Sequence, residues 1–126
     1  MNTNPVGWFE IYVNDLARAR KFYQSVLGIN FDVLGDPNDD NIKMLSFPSD
    51  MEKYGATGAL VQMEGFPAGG NSTLIYFACE DCAIEESKVV AAGGRVQRSK
   101  MSIGEYGFIT LAMDTESNMF GLHSLK

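Results

Sequence analysis

The chain has 126 residues, enough for one domain that buries its own core without disulfide or metal staples. A net charge of -6, with only 10 Lys and Arg, argues against nucleic acid, because phosphate binding needs a clustered basic face. No apolar run approaches the roughly 20 residues of a membrane span, and MNTNPVGWF lacks the regions of a signal peptide, so the expected location is cytoplasmic.

From Trp8 the chain alternates. Phe9, Ile11 and Val13 point one way and Trp8, Glu10 and Tyr12 the other, as a half-buried strand requires. Asn14 or Asp15 then offers an N-cap oxygen, and Leu16, Ala19, Phe22, Tyr23, Val26 and Leu27 form one helical stripe before Gly28, a left-handed stop. Arg18, Arg20 and Lys21 fall on the solvated side of that helix. Residues 29–34 read as a second strand and GDPNDDN as a hairpin tip, because its aspartates lack the spacing and closing Glu of a calcium loop. Residues 42–47 supply a third strand, PSDMEKYGATG a loop, and residues 59–63 a fourth strand.

Pro67 and paired glycines make EGFPAGGNS the most linker-like stretch. Beyond it, residues 74–94 echo residues 8–28: Asp81 minus Asp15 and Gly94 minus Gly28 both give 66. That offset sets Phe9, Ile11 and Val13 on Ile75, Phe77 and Cys79, and Trp8 on Leu74. Residues 95–101, 107–113 and 119–124 add three strands, with SIGEY and DTESN as turns. The order βαβββ therefore occurs twice in a single domain, over about 5–64 and 72–126, joined by a linker at about 65–71. The expected class is α+β: a curved mixed sheet with both helices on its convex side and a concave side left open.

Cys79 and Cys82 form C-E-D-C. Cys79 closes a strand on its core face and Cys82 sits in the first helical turn beside Glu80 and Asp81, so both are expected to pack as small hydrophobes. With a single His and no second Cys pair, one subunit lacks a four-ligand zinc set.

Three stretches carry a resemblance: V-N-D-L-x-x-A-x-x-F-Y from Val13 to Tyr23, the repeat from Tyr76 to Gly94, and D-T-E-S-N-x-F-G-L from Asp114 to Leu122. Together they resemble the vicinal oxygen chelate superfamily, which includes glyoxalase I, extradiol dioxygenases and the bleomycin and fosfomycin resistance proteins. The last stretch departs from that superfamily's D-P-x-G-N by Thr115 and Ser117. The resemblance implies ligands on the cavity face of four strands in metal-dependent members. Matched residue by residue, those positions are Trp8, its repeat partner Leu74, Gly121, and Ala59. None has a side chain that donates to a divalent ion, so no metal and no cofactor is expected, and glyoxalase-type metal catalysis is disfavoured.

An indole, a leucine and two very small residues predict a roomy, apolar cavity for a small molecule. By strand parity Glu10 and Tyr12 share the face of Trp8, Tyr76 that of Leu74, and His123 that of Gly121. Glu10 reads as a contact for a cationic or hydrogen-bonding ligand, as a general base, or as a rim or dimer-interface carboxylate. His123 reads as an acid or base, a ligand contact or a rim residue, with no orienting partner legible in the sequence. Trp8, Tyr12 and Tyr76 either stack on a flat or cationic ligand or pack the core. Met101, Tyr106 and Phe108 are candidates to close the mouth of the cup.

The expected ligand-binding set is thus Trp8, Glu10, Tyr12, Ala59, Leu74, Tyr76, Gly121 and His123. The expected function is metal-independent binding or sequestration of a small organic molecule. The alternative is a small-molecule enzyme, a lyase, isomerase or dioxygenase-like protein, using Glu10 and His123 with or without a divalent metal. A third reading is a partner-binding module whose cavity has collapsed around Trp8 and Tyr76. The resemblance also implies a homodimer, with modules exchanged or not.

Overall fold

The computed structural model describes residues 4, 6, 8–34, 41–50, 52–70 and 73–126. The expected hairpin tip GDPNDDN falls, but for Asn41, outside the described residues. The first unit comprises β1 (Trp8–Tyr12), α1 (Leu16–Leu27), β2 (Asp32–Leu34), β3 (Ile42–Ser46) and β4 (Thr57–Met63). The second comprises β5 (Tyr76–Ala78), α2 (Cys82–Val89), β6 (Arg95–Ser102), β7 (Phe108–Met113) and β8 (Met119–Ser124), with a short 3-10 turn at Gly104–Tyr106. The α+β class and the doubled βαβββ order are as expected, but among the described residues the strands form two mixed four-stranded sheets rather than one, ordered β1-β4-β3-β2 and β5-β8-β7-β6, because no ladder joins the two units. In each sheet the first strand runs parallel to the last, and the other pairs are antiparallel. Glu10 stands beside Ala59 and Tyr76 beside Gly121, so residues 66 apart hold equal places in the two sheets.

Asp15 is the N-cap of α1, its carboxylate accepting from Arg18 N at 3.1 Å, while Asn14 turns its side chain to the linker, accepting from Ala68 N at 3.0 Å. At the other end Gly28 has φ 67 and its N–H reaches Gln24 O, a left-handed cap. The second helix ends differently. Its left-handed residue is Gly93, with φ 102, and Gly94 follows it, its N–H reaching back to Val89 O.

One core serves both units. Phe22, Tyr23 and Val26 of α1 and Cys82 and Val89 of α2 are buried with Ile11, Leu60, Ala112, Phe120 and Leu122. The Tyr23 ring lies 5.9 Å from Phe47 in the first unit, and 5.8 Å from Phe77 and 5.6 Å from Phe120 in the second. Each such ring contributes on the order of 2 kcal/mol through burial alone.

A polar latch reinforces that core. In the turn before β8, Asp114 Oδ1 accepts from Glu116 N and Asn118 N, both at 2.8 Å. The turn aims the buried Glu116 carboxylate at the start of α1, where it accepts from Asn14 N at 3.0 Å, Asp15 N at 2.9 Å and Arg18 Nε at 2.7 Å. Burial pushes the Glu116 carboxyl up, but the bonds from Arg18, Thr115 and the two backbone amides outweigh it and hold the carboxyl down at about 2. The buried Tyr23 hydroxyl donates to Asp114 Oδ2 at 2.7 Å.

Cys82 is buried and Cys79 half-buried, and neither is in a disulfide. Burial, with Glu85 beside it, pushes the Cys79 thiol up to about 12, so it is a thiol rather than a thiolate nucleophile at neutral pH. Among the described residues no helix is long and apolar enough to cross a membrane.

Candidate functional site

Because a strand presents alternate side chains on one face, β1 places Trp8, Glu10 and Tyr12 in a row on the side away from the core. The row is bonded internally. Trp8 Nε1 donates to Glu10 Oε2 at 3.2 Å and the Tyr12 hydroxyl donates to Glu10 Oε1 at 2.9 Å, so each carboxylate oxygen is held by an aromatic donor two residues away. The Tyr12 phenol is shifted up, first by that hydrogen bond and then by burial, which keeps it a donor at neutral pH. Trp8 remains 43% exposed. The row therefore offers a carboxylate flanked by two π faces, an arrangement suited to a ligand with an N–H donor or a positive charge.

At the Tyr12 end the seam between the two sheets opens into a pocket of about 310 Å³. Glu10 and Tyr12 of the first unit line it together with Ile75 and Met119 of the second, and Tyr23 and Phe120 also line it. Pro67, Gly69 and Gly70 of the linker complete the lining. The linker is tied to both units: Ala68 N donates to Asn14 Oδ1, Gly69 N donates to Asn118 Oδ1 at 2.9 Å, and the Phe66 ring lies 5.8 Å from that of Tyr12. The linker contribution and Asn118 were not foreseen. Asn118 belongs to the DTESN turn, and nothing in that pattern tells a structural turn from a wall of a pocket.

The other expected residues lie elsewhere. Ala59 is fully buried beside Glu10 in the ladder. Leu74 and Tyr76 are exposed before and in β5, and the Tyr76 ring lies across Gly121 so closely that a Cβ there would overlap it. The open space expected over Gly121 is thus occupied by its neighbour. His123 sits in the other sheet from Glu10, its Nε2 2.7 Å from the Tyr106 carbonyl oxygen. A carbonyl only accepts, so Nε2 carries the proton, and this contact is the orienting partner absent from the sequence reading. Met101 and Tyr106 are exposed, but Phe108 packs against the core with Lys100 Nζ 4.7 Å above its ring, which removes it from the mouth.

Sequence comparison matches residues 6–38 to the bleomycin resistance protein-like N-terminal family. A Mycobacterium bovis protein, CFP32, named as a candidate glyoxylase, is 26% identical over 121 residues, covering 92% of this chain and 44% of its own length. The chain thus spans less than half of that curated relative. Among solved structures, glyoxalase I from Zea mays is similar at a TM-score of 0.74 with 21% identity, covering 93% of this chain and 43% of the maize chain. TnmS3, an antibiotic binding protein from Streptomyces sp. CB03234, is similar at a TM-score of 0.66 with 23% identity, covering 100% of this chain and 99% of that one. A glyoxylase/bleomycin resistance protein/dioxygenase domain from Frankia reaches 0.72 at 13% identity, with 99% and 100% coverage.

The chain has the vicinal oxygen chelate fold. That fold implies a divalent metal in some proteins, and the residues present do not fit one. The positions that the sequence resemblance matches to metal ligands carry Trp8, Ala59, Leu74 and Gly121, of which Ala59 is fully buried and Gly121 is covered by the Tyr76 ring. Among the described residues no three His, Cys, Asp or Glu side chains come together as a metal-holding group. The chemistry that this row and pocket offer is recognition by charge, hydrogen bonding and ring stacking.

Proposed function

We propose that the protein binds and sequesters a small organic molecule without a metal, in the seam pocket beside Glu10. The observation that carries this reading is the pair of aromatic donors fixing both oxygens of the Glu10 carboxylate at the pocket wall. A ligand with a protonated nitrogen and a flat apolar body places its charge against Glu10 and its body against Tyr12 and the apolar wall, while Trp8 holds the Glu10 carboxylate from outside the pocket. The full-length likeness to an antibiotic binding protein supports the same class of function. Two modules in one domain, a homodimer whose second copy covers the exposed Trp8, Leu74 and Tyr76, and a cytoplasmic location belong to this proposal.

The enzymatic reading rests on His123, whose ring is oriented by the Tyr106 carbonyl. Thermal denaturation with a panel of cationic aromatic compounds separates the two. Under the binding reading at least one compound class stabilises the wild type, by about 2.7 kcal/mol at a hundredfold excess over Kd, and stabilises Trp8→Ala and Glu10→Gln at least about tenfold more weakly. No shift with any class counts against the reading, and one tightly held transition metal per chain after dialysis overturns it.

A further inference from the structure

The internal duplication creates a second pocket at the opposite end of the same seam. Its volume is about 230 Å³, and Phe9, Phe47, Phe77 and Leu27 supply most of its apolar lining. The repeat offset of 66 relates its walls to those of the Glu10 pocket: Phe77 takes the place of Ile11, Ala78 that of Tyr12, and Phe9 that of Ile75. The space is therefore a consequence of how the two units meet rather than a local packing fault.

One charged group lines it, Glu85 of α2. Its Oε1 is sealed from water and accepts no hydrogen bond of full strength among the described residues, the Cys79 thiol being the one weak donor beside the carboxylate. A dry carboxylate oxygen without a strong donor is costly, and the cost is removed when one enters and the carboxylate turns toward it about its soft terminal torsion. The neighbouring polar group is the Cys79 thiol, a weak donor held protonated by burial and by Glu85 itself. Three phenylalanines and one weakly bonded acid select a compact apolar body with a single cationic head, and the volume suits a fragment of one ring rather than a drug-sized molecule.

We propose that this is a second ligand site, distinct from the Glu10 pocket, which takes a small arylalkylamine by ion pairing to Glu85 with its ring among Phe9, Phe47 and Phe77. The proposal does not depend on what the Glu10 pocket binds.

The experiment is proton NMR of the full chain titrated with benzylamine, with toluene and benzyl alcohol as neutral comparisons. The expected result is saturable binding at about 1 mM or tighter, with Overhauser contacts from the probe to the rings of Phe9, Phe47 and Phe77. Both neutral probes bind at least about tenfold more weakly, and Glu85→Gln weakens benzylamine by a similar factor while leaving toluene unchanged. A second variant, Glu85→Ala, gives the same loss and guards against a local rearrangement particular to glutamine. Contacts to Trp8 and Tyr12 alone, equal affinity for Glu85→Gln, or no saturation in that range each overturn the proposal. The thermal panel against Glu10→Gln reads the other pocket, so failure of one site is distinguishable from failure of the other.

Discussion

β1 and β5 hold the same place in the two units, and each runs parallel to its unit's last strand. On β1 the outward row is Trp8, Glu10 and Tyr12, a carboxylate between two aromatic donors. At the same rows in the second unit stand Leu74, Tyr76 and Ala78, without charge. The neighbouring small residue differs in its use as well. Ala59 lies buried beside Glu10, whereas Gly121 makes room for the Tyr76 ring. The two units share the order of their strands and the direction of their pairing, while on this row the charged side chain stands on one of them only. Similar strand pairings can carry unrelated chemistry because ladder bonds involve only main-chain groups.

The largest expected effect concerns the latch that the turn before β8 makes in the second unit. Replacing Glu116 with Ala frees Arg18 and leaves the amides of Asn14 and Asp15 without their acceptor, and should cost about 3 kcal/mol in urea denaturation. The same group sets the acid limb. Its folded value near 2 lies below the ordinary 4.5, so its stabilisation is complete above the ordinary value and is lost as pH falls toward 2. Asp114, which burial pushes up despite its bonds, acts in the opposite sense and gains as pH falls through its folded value. Glu116→Gln should therefore flatten the loss of stability between about pH 4.5 and 2, and an unchanged acid limb would show that the latch is not what fails.

The paired glycines sharpen the comparison further. Gly28 needs its positive φ and faces open space, while Gly94 has no such φ and packs against the Met113 carbonyl and the Phe22 ring. Gly94→Ala should cost about 2 to 3 kcal/mol by driving a methyl into backbone. Gly28→Ala should cost about 1 kcal/mol, the strain of a left-handed alanine. Equal losses in calorimetry would mean that both glycines serve one purpose.

The smallest effect lies on the β1 row. Tyr12→Phe should change stability by less than about 0.5 kcal/mol, yet it should remove from the ultraviolet titration a tyrosine that ionises above the free phenol. Glu10→Gln should bring that tyrosine back toward the ordinary value, because the hydrogen bond to Glu10 is the leading cause of its shift. A titration indifferent to Glu10 would break the assignment of the row.

What the sequence determined by itself is what short range controls. The alternation of Trp8 to Tyr12, the stripe of α1 with its Asp15 cap and Gly28 stop, and the offset of 66 follow from the covalent periods of strand and helix, and from them came the doubled βαβββ order. The tertiary structure decided the rest. Glu116 reaches residues about a hundred positions away, the linker lines a pocket, the Tyr76 ring falls across Gly121, and Glu85 meets three phenylalanines from other elements. Those meetings depend on how two packed units set their elements against one another, and no local pattern encodes a distance between side chains that only packing brings together.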